Sequence, residues 1–95
     1  MFQLSTSSHN MPCIEIYETD NSRDAEIEFL LRAVRDNYFD SEYYQAKRDA
    51  NPFIQGLDQR EGNKFLLIEF WGRNIDEYIA FLNKKWEERN AVHSK

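Results

Sequence analysis

The chain has 95 residues, a net charge of −5, 41% hydrophobic and 15% aromatic residues, which suits one folded domain and leaves no length for separate catalytic and regulatory halves. The acidic balance argues against broad electrostatic attraction to nucleic acid or an anionic membrane, while a lone Cys13 and two histidines exclude a disulfide framework within the chain and a His-rich metal site. No apolar run approaches the roughly 20 residues of a membrane helix, and the first dozen residues lack the basic start and apolar stretch of a signal peptide, so the expectation is a cytoplasmic domain.

Residues 1–12 are rich in Ser, Thr, Asn and Gln around Phe2, Leu4 and Met11; they read as a flexible arm preceding a single domain over 13–95. Cys13 to Glu18 alternates, with Ile14 and Ile16 on one side, and predicts a half-buried strand. Asp20, Asn21 and Ser22 offer side-chain N-caps for the helix that follows. Its apolar stripe is Ile27, Leu30, Leu31, Val34 and Tyr38, ending near Tyr38. Asp40 or Ser41 is placed to start a shorter helix that Asn51-Pro52 stops near Ala50.

The runs 53–60 and 64–71, separated by Glu61-Gly62-Asn63, predict an antiparallel hairpin. The second run is apolar on both sides, which marks a central strand. Asn74 with Glu77 resembles a capping box for a last helix whose stripe is Ile75, Tyr78, Ile79, Leu82 and Trp86. The order β-α-(short α)-β-β-α implies an α+β two-layer sandwich with strands in the order 1-3-2 and both long helices on one face. That is a ferredoxin-like plait lacking, or nearly lacking, its fourth strand, for which 91–95 are the only candidate. Without one, the first strand is an open edge.

If the isoleucines face the helices, the opposite sheet face carries Cys13, Glu15, Tyr17, Phe65, Leu67, Glu69 and Trp71. This face is too apolar for water, so either the tyrosine-bearing short helix or Phe2 and Leu4 cover it, or it is an interaction surface. Tyr17, Phe65, Leu67 and Trp71, with Tyr43 and Tyr44 of the short helix, are the candidate interface residues. Lys64 to Phe70, followed by Ile79-Ala80-Phe81-Leu82-Asn83, is similar to the third strand and second helix of RNA-recognition motifs. The resemblance implies a plait, with Phe65 as the one matching stacking aromatic; Asn63 and Lys64 stand at the lead positions and Leu67 replaces the second aromatic.

Chemistry-bearing patterns are sparse. Cys13 would need His9 or His93 as a base to act as a nucleophile, and a small buried apolar role fits it better. Glu15 and Glu69 are placed to stand side by side as a carboxylate pair. Arg32, Arg35, Lys47 and Arg48, interleaved with Tyr38, Phe39, Tyr43 and Tyr44, form a basic-aromatic cluster diluted by acids. No phosphate loop, paired-cysteine or metal-ligand spacing is present, and no cofactor is implied. The expectation is a small non-catalytic, regulatory protein-interaction module that binds a protein partner or itself, as a dimer, through the aromatic face or the open edge. Two alternatives are a small-ligand binder or enzyme with a pocket between sheet and residues 39–50, and single-stranded nucleic-acid binding through the sheet face.

Overall fold

Alternation along two strands sets the sheet. The chain, as a computed structural model, is described over residues 1–36 and 41–93. Among these residues it forms β1 (Ser5–Thr6), β2 (Pro12–Glu18), α1 (Asp24–Arg35), α2 (Ser41–Ala50), β3 (Pro52–Arg60), β4 (Asn63–Phe70) and α3 (Ile75–His93). The strands make one antiparallel sheet in the order β1-β2-β4-β3. Both neighbours of β4 run against it, so β2 and β3 are parallel across it, as a plait requires.

Ile14 and Ile16 of β2 and Leu66, Ile68 and Phe70 of β4 form the floor of a single core. Over them lie Ile27, Leu30 and Leu31 of α1, Tyr43 and Ala50 of α2, and Tyr78, Ile79 and Leu82 of α3. The helical stripes expected from spacing supply most of this layer, with Val34, Ile75 and Trp86 half-buried at its margins and Phe29 and Ala33 buried beside them, and all three helices occupy one layer. Burial of each such side chain contributes about 1.5–3 kcal/mol, which is why the stripes override the modest helix propensity of Ile, Val and Tyr.

Residues 1–12 are the main departure from expectation. They are held rather than loose, because Phe2 finds a tertiary pocket. Its ring stacks on Phe29 at 5.8 Å between centroids and meets Trp86 edge-on at 5.7 Å. The amide of Asn83 completes the grip: Phe2 N–H donates to Asn83 Oδ1 at 2.7 Å, and Asn83 Nδ2–H donates to the Phe2 carbonyl at 3.1 Å. An amide side chain thus serves the backbone as a strand partner would. Ser5 and Thr6 pair with Cys13 and Pro12. The place of the plait's missing fourth strand, beside β2, is taken in part by residues 5 and 6, so the β2 edge is covered at Pro12 and Cys13. At the other end α3 runs on to His93, where a short strand was the other expectation for 91–95. Ser94 and Lys95, and residues 37–40 with the expected helix end at Tyr38, lie outside the described residues.

Two junctions deserve their physical reasons. Helix α1 starts at Arg23 with no side-chain cap, although three cap formers precede it. The Asp20 carboxylate instead accepts the Ser22 N–H in a local turn at 3.0 Å, and the Glu18 carboxylate accepts the Arg23 N–H. At the end of α2, Asn51 takes a left-handed conformation with φ 50°. The N–H groups of Trp71, Gly72 and Arg73 then donate to the carbonyls of Asn51, Ala50 and Asp49 at 3.1, 2.9 and 2.8 Å. Carbonyls that the helix end leaves unpaired are met by the turn after β4. The approach is so close that a Cβ on Gly72 would lie 1.9 Å from the Asp49 oxygen.

Candidate interaction face

The face of the sheet away from the helices is read off the register. Cys13 stands opposite Glu69, Glu15 opposite Leu67 and Tyr17 opposite Phe65, while β3 places Phe53 opposite Glu69 and Asp58 opposite Phe65. These side chains share one side. Of them Tyr17 and Phe53 are exposed, at 62% and 50%, as is Trp71, at 57%, just past the end of β4. Phe65 and Leu67 are half-buried. The Phe53 and Trp71 rings meet at 5.6 Å with their planes tilted by 44°.

A bulge explains why Phe65 is not more exposed. The β3–β4 register shifts between Ile54 and Gly56. The Phe65 ring lies over Gly56, where an added Cβ would come within 2.8 Å of it. The glycine leaves a gap on the sheet surface and the ring fills it. The aromatic that matches a stacking position is thus engaged with its own sheet.

Cover at the other end comes from the loop joining β1 to β2, and not from α2 or from Phe2 and Leu4. Ser7 is the hub of that loop. Its hydroxyl oxygen accepts the N–H groups of His9 and Met11 at 3.2 and 3.3 Å, and its side chain is hydrogen-bonded to Glu69. One donor and two acceptor sites are thereby all used. The Glu69 side chain is fully buried. Its Oε2 lies 2.9 Å from His9 Nδ1 and its Oε1 accepts the Trp71 indole N–H at 3.3 Å. An ionised carboxylate only accepts, so Nδ1 carries the proton in this contact. The Ser7 bond, with those from His9 and Trp71, outweighs burial and holds the Glu69 carboxyl below the usual carboxylate range.

The expected carboxylate pair is not formed side by side. Glu69 faces Cys13, Glu15 faces Leu67, and only Glu69 is buried. A carboxyl held low is also the reverse of one that keeps a shared proton. Cys13 is buried as well, and desolvation together with the nearby Glu15 and Glu69 charges pushes its thiol up, away from an activated thiolate. Of the two candidate bases, His9 is already directed at Glu69.

Tyr43 and Tyr44 separate. Tyr43 is fully buried and offers no surface to a partner: its hydroxyl donates to the Ala33 carbonyl and lies 2.7 Å from the Tyr78 hydroxyl. Tyr44 is exposed on α2, in the helix layer, beside a depression of 250 Å³ shared with Lys47, Arg48, Asn51 and Pro52. Spacing holds the signal that separates them, since Tyr43, Ala46 and Ala50 form the inward stripe of α2. Of the basic cluster, Arg32, Arg35 and Arg48 are exposed, whereas Tyr38 and Phe39 lie outside the described residues. The outer sheet face therefore gathers Tyr17, Phe65, Leu67 and Trp71, adds Phe53, and excludes the two tyrosines of α2. Phe53 escaped sequence reasoning, although the alternation of the hairpin strand that carries it, paired against Glu69, could have placed it there.

A depression of 390 Å³ lined by His9, Met11, Gln55 and Trp71 opens at the aromatic corner. The Glu69 carboxylate sits behind His9 and outside this lining. Because α2 belongs to the other layer, the outer face and residues 41–50 enclose no pocket between them. Among the described residues no group of three or more His, Cys, Asp and Glu side chains is placed to hold a metal ion, and no helix is long and apolar enough to cross a membrane. Comparison with protein-family models, with curated proteins and with solved structures finds no match for this chain.

Proposed function

We propose that this chain is a small non-catalytic protein-interaction module, regulatory in effect, that binds a protein partner or a second copy of itself through the helix-free face of its sheet. One observation carries the proposal: Tyr17, Phe53 and Trp71 stand exposed together on that face, around the half-buried Leu67. Each large apolar side chain left in water forgoes about 1.5–3 kcal/mol of burial, and a partner recovers it. Scattered exposed rings need no explanation; several on one side of one sheet do. The 390 Å³ depression supports a small-ligand reading less well, because it offers shape with no buried charge in its lining.

Sedimentation equilibrium and co-purification from the native source read the two kinds of occupant. Wild type and Tyr44→Glu, altered on the helix side, should retain the same partner or the same doubled mass. Trp71→Glu and Tyr17→Glu should lose it with an unchanged circular dichroism spectrum. Equal retention by all four proteins defeats the proposal.

A further inference from the structure

We infer that the occupant of the helix-free face is a basic protein segment in which arginine or lysine alternates with apolar residues. This rests on the interaction reading above and gives the partner's chemistry. The few charges on the face are unevenly matched. Arg60 lies 3.4 Å from Asp58, and His9 is 2.9 Å from the buried Glu69. Glu15 is exposed opposite Leu67, two residues from Tyr17 on the same side, and among the described residues no cation pairs with it. An apolar or acidic partner would strip water from this carboxylate and return nothing. A guanidinium or ammonium replaces the lost water with a charge-assisted hydrogen bond.

The rings select the same chemistry. Phe53 and Trp71, tilted at 44° and 5.6 Å apart, present two π faces at the corner where Gln55 and Met11 line the depression. Such a corner attracts a cation through the ring quadrupoles and still accepts the aliphatic stem behind it. Tyr17 provides a third face next to Glu15. At longer range, the net charge of −5 draws a cationic segment in and turns an acidic one away. Arginine fits better than lysine, because its planar group stacks on an indole and donates two parallel bonds to a carboxylate.

Fluorescence anisotropy with a dye-labelled peptide of alternating Arg and Leu tests this, with peptides carrying Ser or Glu in place of Arg alongside. Binding should favour the Arg peptide about tenfold over the Ser peptide, with none to the Glu peptide. Trp71→Ala and Glu15→Gln should each weaken it about fivefold. Glu87→Gln removes the same charge from an exposed position on α3 and should leave it unchanged. Equal affinity for the Ser peptide would overturn the basic partner while leaving the interaction face standing. A Glu87→Gln loss matching that of Glu15→Gln, or no binding of any peptide by the folded protein, also overturns the inference. So does a dimer whose mass halves on Trp71→Glu, for then the occupant is a second copy.

Discussion

His9 and Glu69, 60 residues apart in the chain, meet at 2.9 Å across the loop that closes one end of the open sheet face. The carboxyl is held below the usual range in the folded protein, chiefly by Ser7 and then by His9 and Trp71. Its folded value is depressed, so its contribution to stability is present above the unfolded glutamate value of about 4.3 and is lost as pH falls through the folded value. Denaturant midpoints measured from neutral to acid pH should therefore fall in wild type below about pH 4.3. Glu69→Gln should lower the neutral midpoint and flatten part of that acid slope. An unchanged slope would show that the carboxylate is not held by this network.

Tyr43 and Tyr78 form the polar centre of the core. Tyr43 gives its proton to the Ala33 carbonyl, so the 2.7 Å contact with Tyr78 is donated by Tyr78. Tyr43→Phe strands both a carbonyl and a hydroxyl and should cost about 2–3 kcal/mol, against about 1 kcal/mol for Tyr78→Phe. The double variant should cost less than the sum, because the second change removes a group the first left unpaired. Desolvation pushes the Tyr43 hydroxyl up to about 12 and the Tyr78 hydroxyl further in the same direction. Raised values mean that the stabilisation is full below the unfolded tyrosine value near 10 and fades above it. An absorbance titration of the native protein should leave these two phenols protonated well past the unfolded tyrosine value.

Gly72 tolerates no side chain. Gly72→Ala would press a methyl group into the Asp49 carbonyl at 1.9 Å and break the three bonds that end α2. A loss of more than about 3 kcal/mol in the unfolding free energy from denaturant titration is expected. Gly62, in the hairpin turn, has φ 82° and open space around it, so Gly62→Ala should cost only about 1 kcal/mol of backbone strain. Similar costs at the two sites would refute the close approach.

Phe2→Ala should destabilise the protein by about 3 kcal/mol, the cost of emptying a pocket walled by Phe29 and Trp86. Trp86 emission should shift to longer wavelength as water reaches the ring. A loose arm would give neither change.

The difference between what the sequence disclosed and what it hid follows from where each signal lives. Ile27, Leu30 and Leu31, or Tyr78, Ile79 and Leu82, repeat at helical spacing, and alternation marks Ile14 and Ile16; such patterns are local and readable. The central place of β4 was legible because apolar residues occupy both its sides. Phe2 and Leu4 carry no comparable period, and the burial of Phe2 depends on Phe29, Asn83 and Trp86, which arrive from elsewhere. The bond between His9 and Glu69 is equally invisible, since no spacing rule links a polar loop to a strand so distant. Arg23 heads α1 for a similar reason: Glu18, from the preceding strand, competes with the local caps. On the outer face the pattern named Tyr17, Phe65, Leu67 and Trp71 together, but the Gly56 bulge decides that Phe65 lies flat while Phe53 stands out.

Asn83 clasping the backbone of Phe2 sets an order of events during synthesis. Strand β1 can fold back on β2 early, but β2 waits for β4, and the pocket for residue 2 is complete only when α3 has been made as far as Trp86. The segment from Phe2 to Trp86 must therefore be complete before Phe2 is locked, and until then the Phe2 and Phe29 rings lack the third wall of their pocket.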